Sequence, residues 1–129
     1  MSAAASPDHT KIPAISVELV GAVTNKTPTG AYRGTGSPEA AFGVERTIDL
    51  IAQDLGLDPA EVRRKNFVPH DAFPYQTPTG AIYDSGNYEE GLERALELVD
   101  YSSWREKARQ RSQHEPLIGI GLATVFKSY

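Results

Sequence analysis

From Ile15 to Val23 the odd positions read Ile15, Val17, Leu19, Gly21 and Val23, while Ser16, Glu18 and, just beyond, Thr24 fall on the even ones. A period of two belongs to a strand with one buried face, so a strand is expected over 15–23. After Pro38 the period changes. Ala41, Val44, Ile48, Ile51 and Leu55 recur at steps of three and four, which winds one apolar stripe along a helix. Ser37-Pro38-Glu39 offers that helix an N-cap, a proline at its first position and an acid near the positive end of its dipole, and Gly56 can end it in left-handed geometry. Leu57-Asp58-Pro59-Ala60-Glu61-Val62 restarts a helix at once: Asp58 caps, Glu61 reaches back, and Leu57 staples onto Val62. The basic run Arg63, Arg64, Lys65 suits the C-terminal end of this second helix.

Asn66 to Gly86 is rich in proline and glycine and has no helical period, which reads as a long ordered loop of the kind usually kept for function. Asn87 then caps a third helix with the stripe Tyr88, Leu92, Ala95, Leu96 and Val99. A polar fourth helix is expected over roughly 104–113. Its mixed charges suit a solvated face, with Trp104 anchoring it to the core. A final strand is expected from Leu117 to Val125. The fold class is therefore α+β: an N-terminal strand, a Gly-rich loop, three to four helices and a C-terminal strand. Residues 1–11 are small and polar and read as a disordered leader to one domain over 12–129.

Composition narrows the function classes. A chain of 129 residues with 40% apolar and 23% charged positions can bury a core, and its net charge of −4 disfavours nucleic-acid or anionic-membrane partners. No apolar run approaches the roughly 20 residues that span a bilayer, and the start lacks a basic segment followed by an apolar one. A cytoplasmic protein is expected. Without cysteine the chain supplies no thiolate to zinc or an iron–sulfur cluster. His9, His70 and His114 show no ligand spacing, and no serine sits in a nucleophile elbow.

One tetrapeptide occurs twice. Thr27-Pro28-Thr29-Gly30 recurs as Thr77-Pro78-Thr79-Gly80, each ahead of a glycine and an expected cap, Ser37 in one case and Asn87 in the other. Turns and caps draw on few residue types, so the echo needs no duplicated site. The two copies lead into different chemistry: Ala31-Tyr32-Arg33-Gly34-Thr35-Gly36 offers a cation and two glycines, whereas the second copy runs to an acid and one glycine. Glycines before a helix can present backbone N–H groups to an anion. A Walker loop would need Gly-Lys-Ser/Thr, and a dinucleotide fingerprint would need a third glycine where Glu39 stands.

The run NKTPTGAYRGTGSPEAAFGVERTIDLIAQDLGLDPAEVRRKN, then FPYQTPTGAIYDSGNYEEGLERAL and LIGIGLA, resembles the molybdopterin-binding catalytic subunit of the xanthine dehydrogenase/aldehyde oxidase/carbon monoxide dehydrogenase superfamily. The resemblance covers nearly everything after Ile12, and its most specific parts are AYRG before a glycine-rich helix start and the LDPAEVRRKN segment. It implies part of a larger molybdopterin-binding domain, with molybdopterin as the cofactor of the full assembly. Tyr32, Gly34, Thr35 and Gly36 would approach that cofactor, and Arg33 would be catalytic, near the substrate. The implied reaction is oxidative hydroxylation of an aldehyde or aromatic heterocycle, with oxygen from water. The implied partners are the remainder of the catalytic subunit and iron–sulfur and flavin subunits or domains.

Two positions depart from the pattern. The carbon monoxide oxidisers of the family carry a copper-ligating cysteine directly after the arginine, where this sequence has Gly34, and Ser37 stands where related sequences often have arginine. Family subunits are several times longer, and their catalytic glutamate and glutamine-bearing cofactor loops have no counterpart here. The isolated chain is therefore expected to carry no cofactor and no metal. A stand-alone anion- or phosphate-binding module and a packing module without ligand remain open beside the fragment of a hydroxylase.

Overall fold

The computed structural model describes residues 10–18, 20–28, 30–112, 114 and 116–126. Four helices dominate: α1 (Ser37–Leu55), α2 (Pro59–Asn66), α3 (Tyr88–Leu98) and α4 (Tyr101–Gln110). A 3₁₀ turn (His70–Ala72) and a small antiparallel hairpin, β1 (Tyr75–Gln76) with β2 (Ile82–Tyr83), occupy the stretch between α2 and α3. That stretch is thus an ordered connection, and its TPTG copy makes the hairpin turn. Thr77 is buried, its N–H donates to the Ala81 carbonyl at 2.8 Å, and its hydroxyl accepts from the Ala81 N–H at 3.0 Å. Gly80 sits there at φ 89°, a conformation that a Cβ would strain. The described residues of the first copy form no such hairpin.

Helix α1 ends as its sequence suggests. Gly56 has φ 65°, its N–H donates to Gln53 at 3.2 Å, and the Leu57 N–H reaches the Ala52 carbonyl at 2.9 Å, the paired bonds of a Schellman closure. The reversal lays α2 back on α1. Ile48, Ala52 and Val62 pack there, flanked by Val44 and Leu57, so the staple residues Leu57 and Val62 share a cluster. The other side of α2 meets α3 and α4: Ala60, Phe67, Leu92 and Tyr101 form a second core, with Tyr88, Leu96, Ile120 and Leu122 against it. The eight-residue α2 therefore contributes to both cores, and a small buried side chain stands in each, Ala52 in the first and Ala60 in the second.

Several sequence expectations change. Ser37 is the first residue of α1 and not its cap; Gly36, at φ 80°, takes the cap position and contributes no side chain. Asp58 and Asn87 do cap, accepting from the N–H groups of Ala60 at 2.9 Å and Glu90 at 3.3 Å. Glu61, expected to reach back, pairs with Lys65 at 2.7 Å. The buried face of α1 is Glu45, Ile48 and Ala52, leaving Ile51 and Leu55 exposed. Helix α4 begins three residues earlier than expected because Tyr101 enters the core, and Trp104 is 43% exposed beneath the Lys107 ammonium, 4.6 Å from its ring centroid.

Neither terminal strand forms among the described residues. A ladder needs a neighbouring strand, and among the described residues neither segment has one beside it. The first, over 15–23, is exposed at Ile15, Val17, Val20 and Val23, while Leu19 lies outside the described residues. Thr10 and Lys11, at the end of the expected leader, do pair locally: Thr10 bridges Phe67, and the Lys11 N–H donates to Asn66 at 2.9 Å. In the second segment Ile120, Leu122, Thr124 and Phe126 are half-buried, and Gly121, Ala123 and Val125 between them are exposed. The alternation is that of a strand, yet its neighbours are helices and an ion pair.

Arg63 supplies that ion pair. Its side chain is 0% exposed; Nε donates to Glu45 Oε2 at 2.9 Å, Nη1 to the Pro59 carbonyl at 3.1 Å, and Nη2 to the Leu122 carbonyl at 2.8 Å. Asp49 adds a second carboxylate 3.0 Å from Nη1. Glu45 in turn accepts from the Thr124 N–H at 2.9 Å and hydroxyl at 3.2 Å. Burying two charges is tolerated where each is paired and hydrogen-bonded, as both are here.

Candidate cofactor loop

The Gly-rich loop leads directly into α1. The Thr35 N–H donates to the Tyr32 carbonyl at 2.9 Å and the Ser37 N–H to the Gly34 carbonyl at 3.0 Å, two successive turns that require positive φ at Gly34 (94°) and Gly36 (80°). The Thr35 hydroxyl also bonds the Tyr32 carbonyl, fixing the inner side of the loop. Sequence dictates this shape: glycine alone adopts such angles without strain, and Pro38 cannot donate, so the chain turns before it and winds into a helix after it.

The turns gather Tyr32, Arg33, Thr35 and Gly36 around a cleft of about 280 Å³, with Gly30, Pro38 and Glu39 completing its wall. Gly34, also a candidate site residue, does not line the cleft; it shapes the turn beneath it. Tyr32 is 87% exposed and Arg33 is exposed. Arg33 has no ion-pair partner among the described residues, although Glu39 shares the cleft wall. The N–H groups of Gly36 and Glu39 likewise find no acceptor among the described residues. A Cβ at Gly36 would meet nothing within 4 Å, so the backbone there is open to close approach. Two open amides at a helix N-terminus beside a guanidinium suit oxygen-rich, anionic groups.

No group of three or more carboxylate, histidine or thiol ligands occurs among the described residues. His70 is exposed and its Nδ1 lies 2.9 Å from the Gly86 carbonyl; His114 is exposed, and His9 falls outside the described residues. A second concavity, about 660 Å³, opens between α2, α3 and α4. At its base the Tyr101 hydroxyl donates to Asp58 at 3.1 Å and 3.2 Å, and Arg105 Nε stands 3.3 Å from the same carboxylate. Burial, reinforced by the adjacent Asp58 carboxylate, pushes the Tyr101 phenol up to about 12. Sequence reasoning missed this trio and the Glu45–Arg63 pair. The available signal was an acid, Glu45, set among Ala41, Ile48 and Ala52 at core spacing.

Residues 3–67 match the molybdopterin cofactor-binding domain family. The chain belongs to the molybdopterin-binding catalytic subunits of the xanthine dehydrogenase/aldehyde oxidase/carbon monoxide dehydrogenase superfamily. It is 44% identical to the carbon monoxide dehydrogenase large chain of Hydrogenophaga pseudoflava over 118 residues, 88% of this chain and 15% of that one. Among solved structures it resembles reconstituted CO dehydrogenase from Oligotropha carboxidovorans, with a TM-score of 0.58 and 40% identity over 62% of this chain and 10% of that one. Quinoline 2-oxidoreductase from Pseudomonas putida 86 gives 0.60 and 35% over 67% and 11%. The chain thus spans about a seventh of the length of the curated relative, and in the full assembly the cofactor of this domain is molybdopterin.

Proposed function

We propose that the chain is part of the catalytic subunit of a molybdenum hydroxylase and that its 30–36 loop forms one wall of the cofactor and substrate site. The observation that carries this reading is Arg33, exposed on a cleft beside two open backbone donors and without an ion-pair partner among the described residues. Molybdopterin, when bound, supplies the redox chemistry that adds a water-derived oxygen to an aldehyde or aromatic heterocycle. The chain's own part is electrostatic and steric. Gly36 and Glu39 offer N–H donors to cofactor oxygens, Gly36 lets the backbone come close, and Tyr32 walls the cleft. Arg33 holds a fixed positive charge where negative charge develops on oxygen, an arrangement that acts most strongly in the transition state.

Gly34 stands where a copper ligand would be a cysteine, which argues against carbon monoxide as the substrate despite the similarity to carbon monoxide dehydrogenases. The remainder of the catalytic subunit, with iron–sulfur and flavin partners to carry electrons away, completes the proposed assembly in the cytoplasm. The isolated chain is then inactive and binds no molybdenum.

The test has two arms. In a complete catalytic subunit carrying this segment, Arg33→Ala should lower turnover about 10²–10³-fold. Its unfolding free energy should stay within about 0.5 kcal/mol of the parent. Unchanged turnover would remove Arg33 from the site. For the isolated chain, metal analysis after purification from a molybdenum-replete host should find no stoichiometric molybdenum. Saturable binding of inorganic phosphate by the isolated chain, lost in Arg33→Ala, would favour a stand-alone anion-binding module instead.

A further inference from the structure

Residues 120–126 run over the helices without joining a sheet: among the described residues no strand lies beside them. Side chains hold them instead. Arg63 Nη2 donates to the Leu122 carbonyl at 2.8 Å, and Glu45 accepts from the Thr124 N–H at 2.9 Å and from the Thr124 hydroxyl at 3.2 Å. Beyond these bonds the Phe126 ring meets Tyr83 and Tyr88, with centroids 4.7 Å and 6.1 Å away, while Ile120 and Leu122 lie against the second core.

This attachment is separable from the rest of the fold. Glu45 and Arg63 are bonded to each other, and Arg63 has Asp49 and the Pro59 carbonyl as further partners, so lifting 120–126 admits water to an ion pair that stays whole. Breaking a buried pair is costly when one member leaves and the other charge is stranded, and here neither is. The second core likewise keeps its own buried members, Ala60, Phe67, Leu92 and Tyr101, none of which belongs to the segment. Towards α3 the packing of residues 122–126 is incomplete, for a groove of about 330 Å³ runs between them and the helix. Leu117 and Ile118, which lead into the segment, are exposed.

We propose that residues 120–126 form a strap that opens and closes as one unit over the second core while the four helices stay folded, with Glu45 and Arg63 as its latch and Phe126 as its plug. A local opening of this kind costs less than global unfolding and exposes less surface. The strap rests on the bonding of Leu122, Thr124 and Phe126, and it is independent of the cofactor reading.

Native-state amide hydrogen exchange tests it, read at the Thr124 amide against the slowest amides of α1. Thr124, bonded to Glu45, should be protected relative to free peptide yet exchange about tenfold or more faster than those of α1. Low urea should change the Thr124 rate weakly and the α1 rates strongly, because the slope follows the surface exposed on opening. Two variants separate strap from body. Phe126→Ala should speed Thr124 exchange about tenfold or more. Ile48→Val loosens a cluster that contains no strap residue, so it should speed the α1 amides several-fold and leave Thr124 unchanged. Exchange of Thr124 at the α1 rate, moving with it in urea and in Ile48→Val, would mean that the segment leaves only in global unfolding and would overturn the proposal. So would a Thr124 amide without protection, which would mean that the latch does not hold, or one indifferent to Phe126→Ala, which would mean that the segment does not move as a unit.

Discussion

Arg63 and Arg64 are adjacent in sequence and opposite in consequence. Arg63 is enclosed and bridges α1, α2 and the C-terminal segment, whereas Arg64 lies partly in solvent and pairs with Glu93 and, at 3.8 Å, Glu89 on α3. Removing one member of a buried pair strands the other charge in a low-dielectric interior, while an exposed pair gains little over hydration. Arg63→Ala should therefore destabilise the fold by about 3–5 kcal/mol. Arg64→Ala should cost less than about 1 kcal/mol. Urea denaturation of both variants checks this, and equal losses would mean that the Glu45–Arg63 pair is not the hub described here. The sequence could not separate the two. A run of three basic residues at a helix end fits dipole stabilisation equally well at each position, and only the packing of α1 selects Arg63.

Among the elements, the expectations that agree with the structure rest on local chemistry. Gly56, Asp58 and Asn87 act through atoms within a few residues, so their roles are legible before any packing is known. Ser37 failed because two caps competed: with Gly36 free to take a left-handed φ, the turn from Gly34 closes one residue early and draws Ser37 into the helix. The contrast is measurable. Asn87→Ala should cost about 1 kcal/mol through the lost bond to the Glu90 N–H, whereas Ser37→Ala, which removes no cap, should be close to neutral. A cost at Ser37 equal to that at Asn87 would restore serine as the functional cap. The terminal strands failed for another reason: alternation specifies which side chains face a core, but a ladder requires a second strand, and that information lies outside the segment itself.

At the scale of the whole molecule, the turns of the 30–36 segment were legible because glycine and proline act locally, whereas the joint between α2 and α4 was not, because Asp58 and Tyr101 are brought together only by the fold. That joint makes global stability pH-dependent. The Tyr101 phenol is neutral when it donates to Asp58, and its pKa rises from about 10 in the unfolded chain to about 12 in the folded one. A raised folded pKa means that the unfolded state releases its proton first. The contribution of Tyr101 is therefore complete below pH ~10 and lost as pH climbs toward ~12, where the phenolate would face the Asp58 carboxylate inside the second core. Phenolate absorbance of the native protein should contain a late-titrating component that Tyr101→Phe removes, and unfolding free energy should fall across that interval. Tyr101→Phe should lower stability at neutral pH by losing the bond to Asp58, yet flatten the alkaline slope by removing the titrating group. If the slope persists undiminished in Tyr101→Phe, the alkaline loss arises from another group and the α2–α4 joint is not its origin.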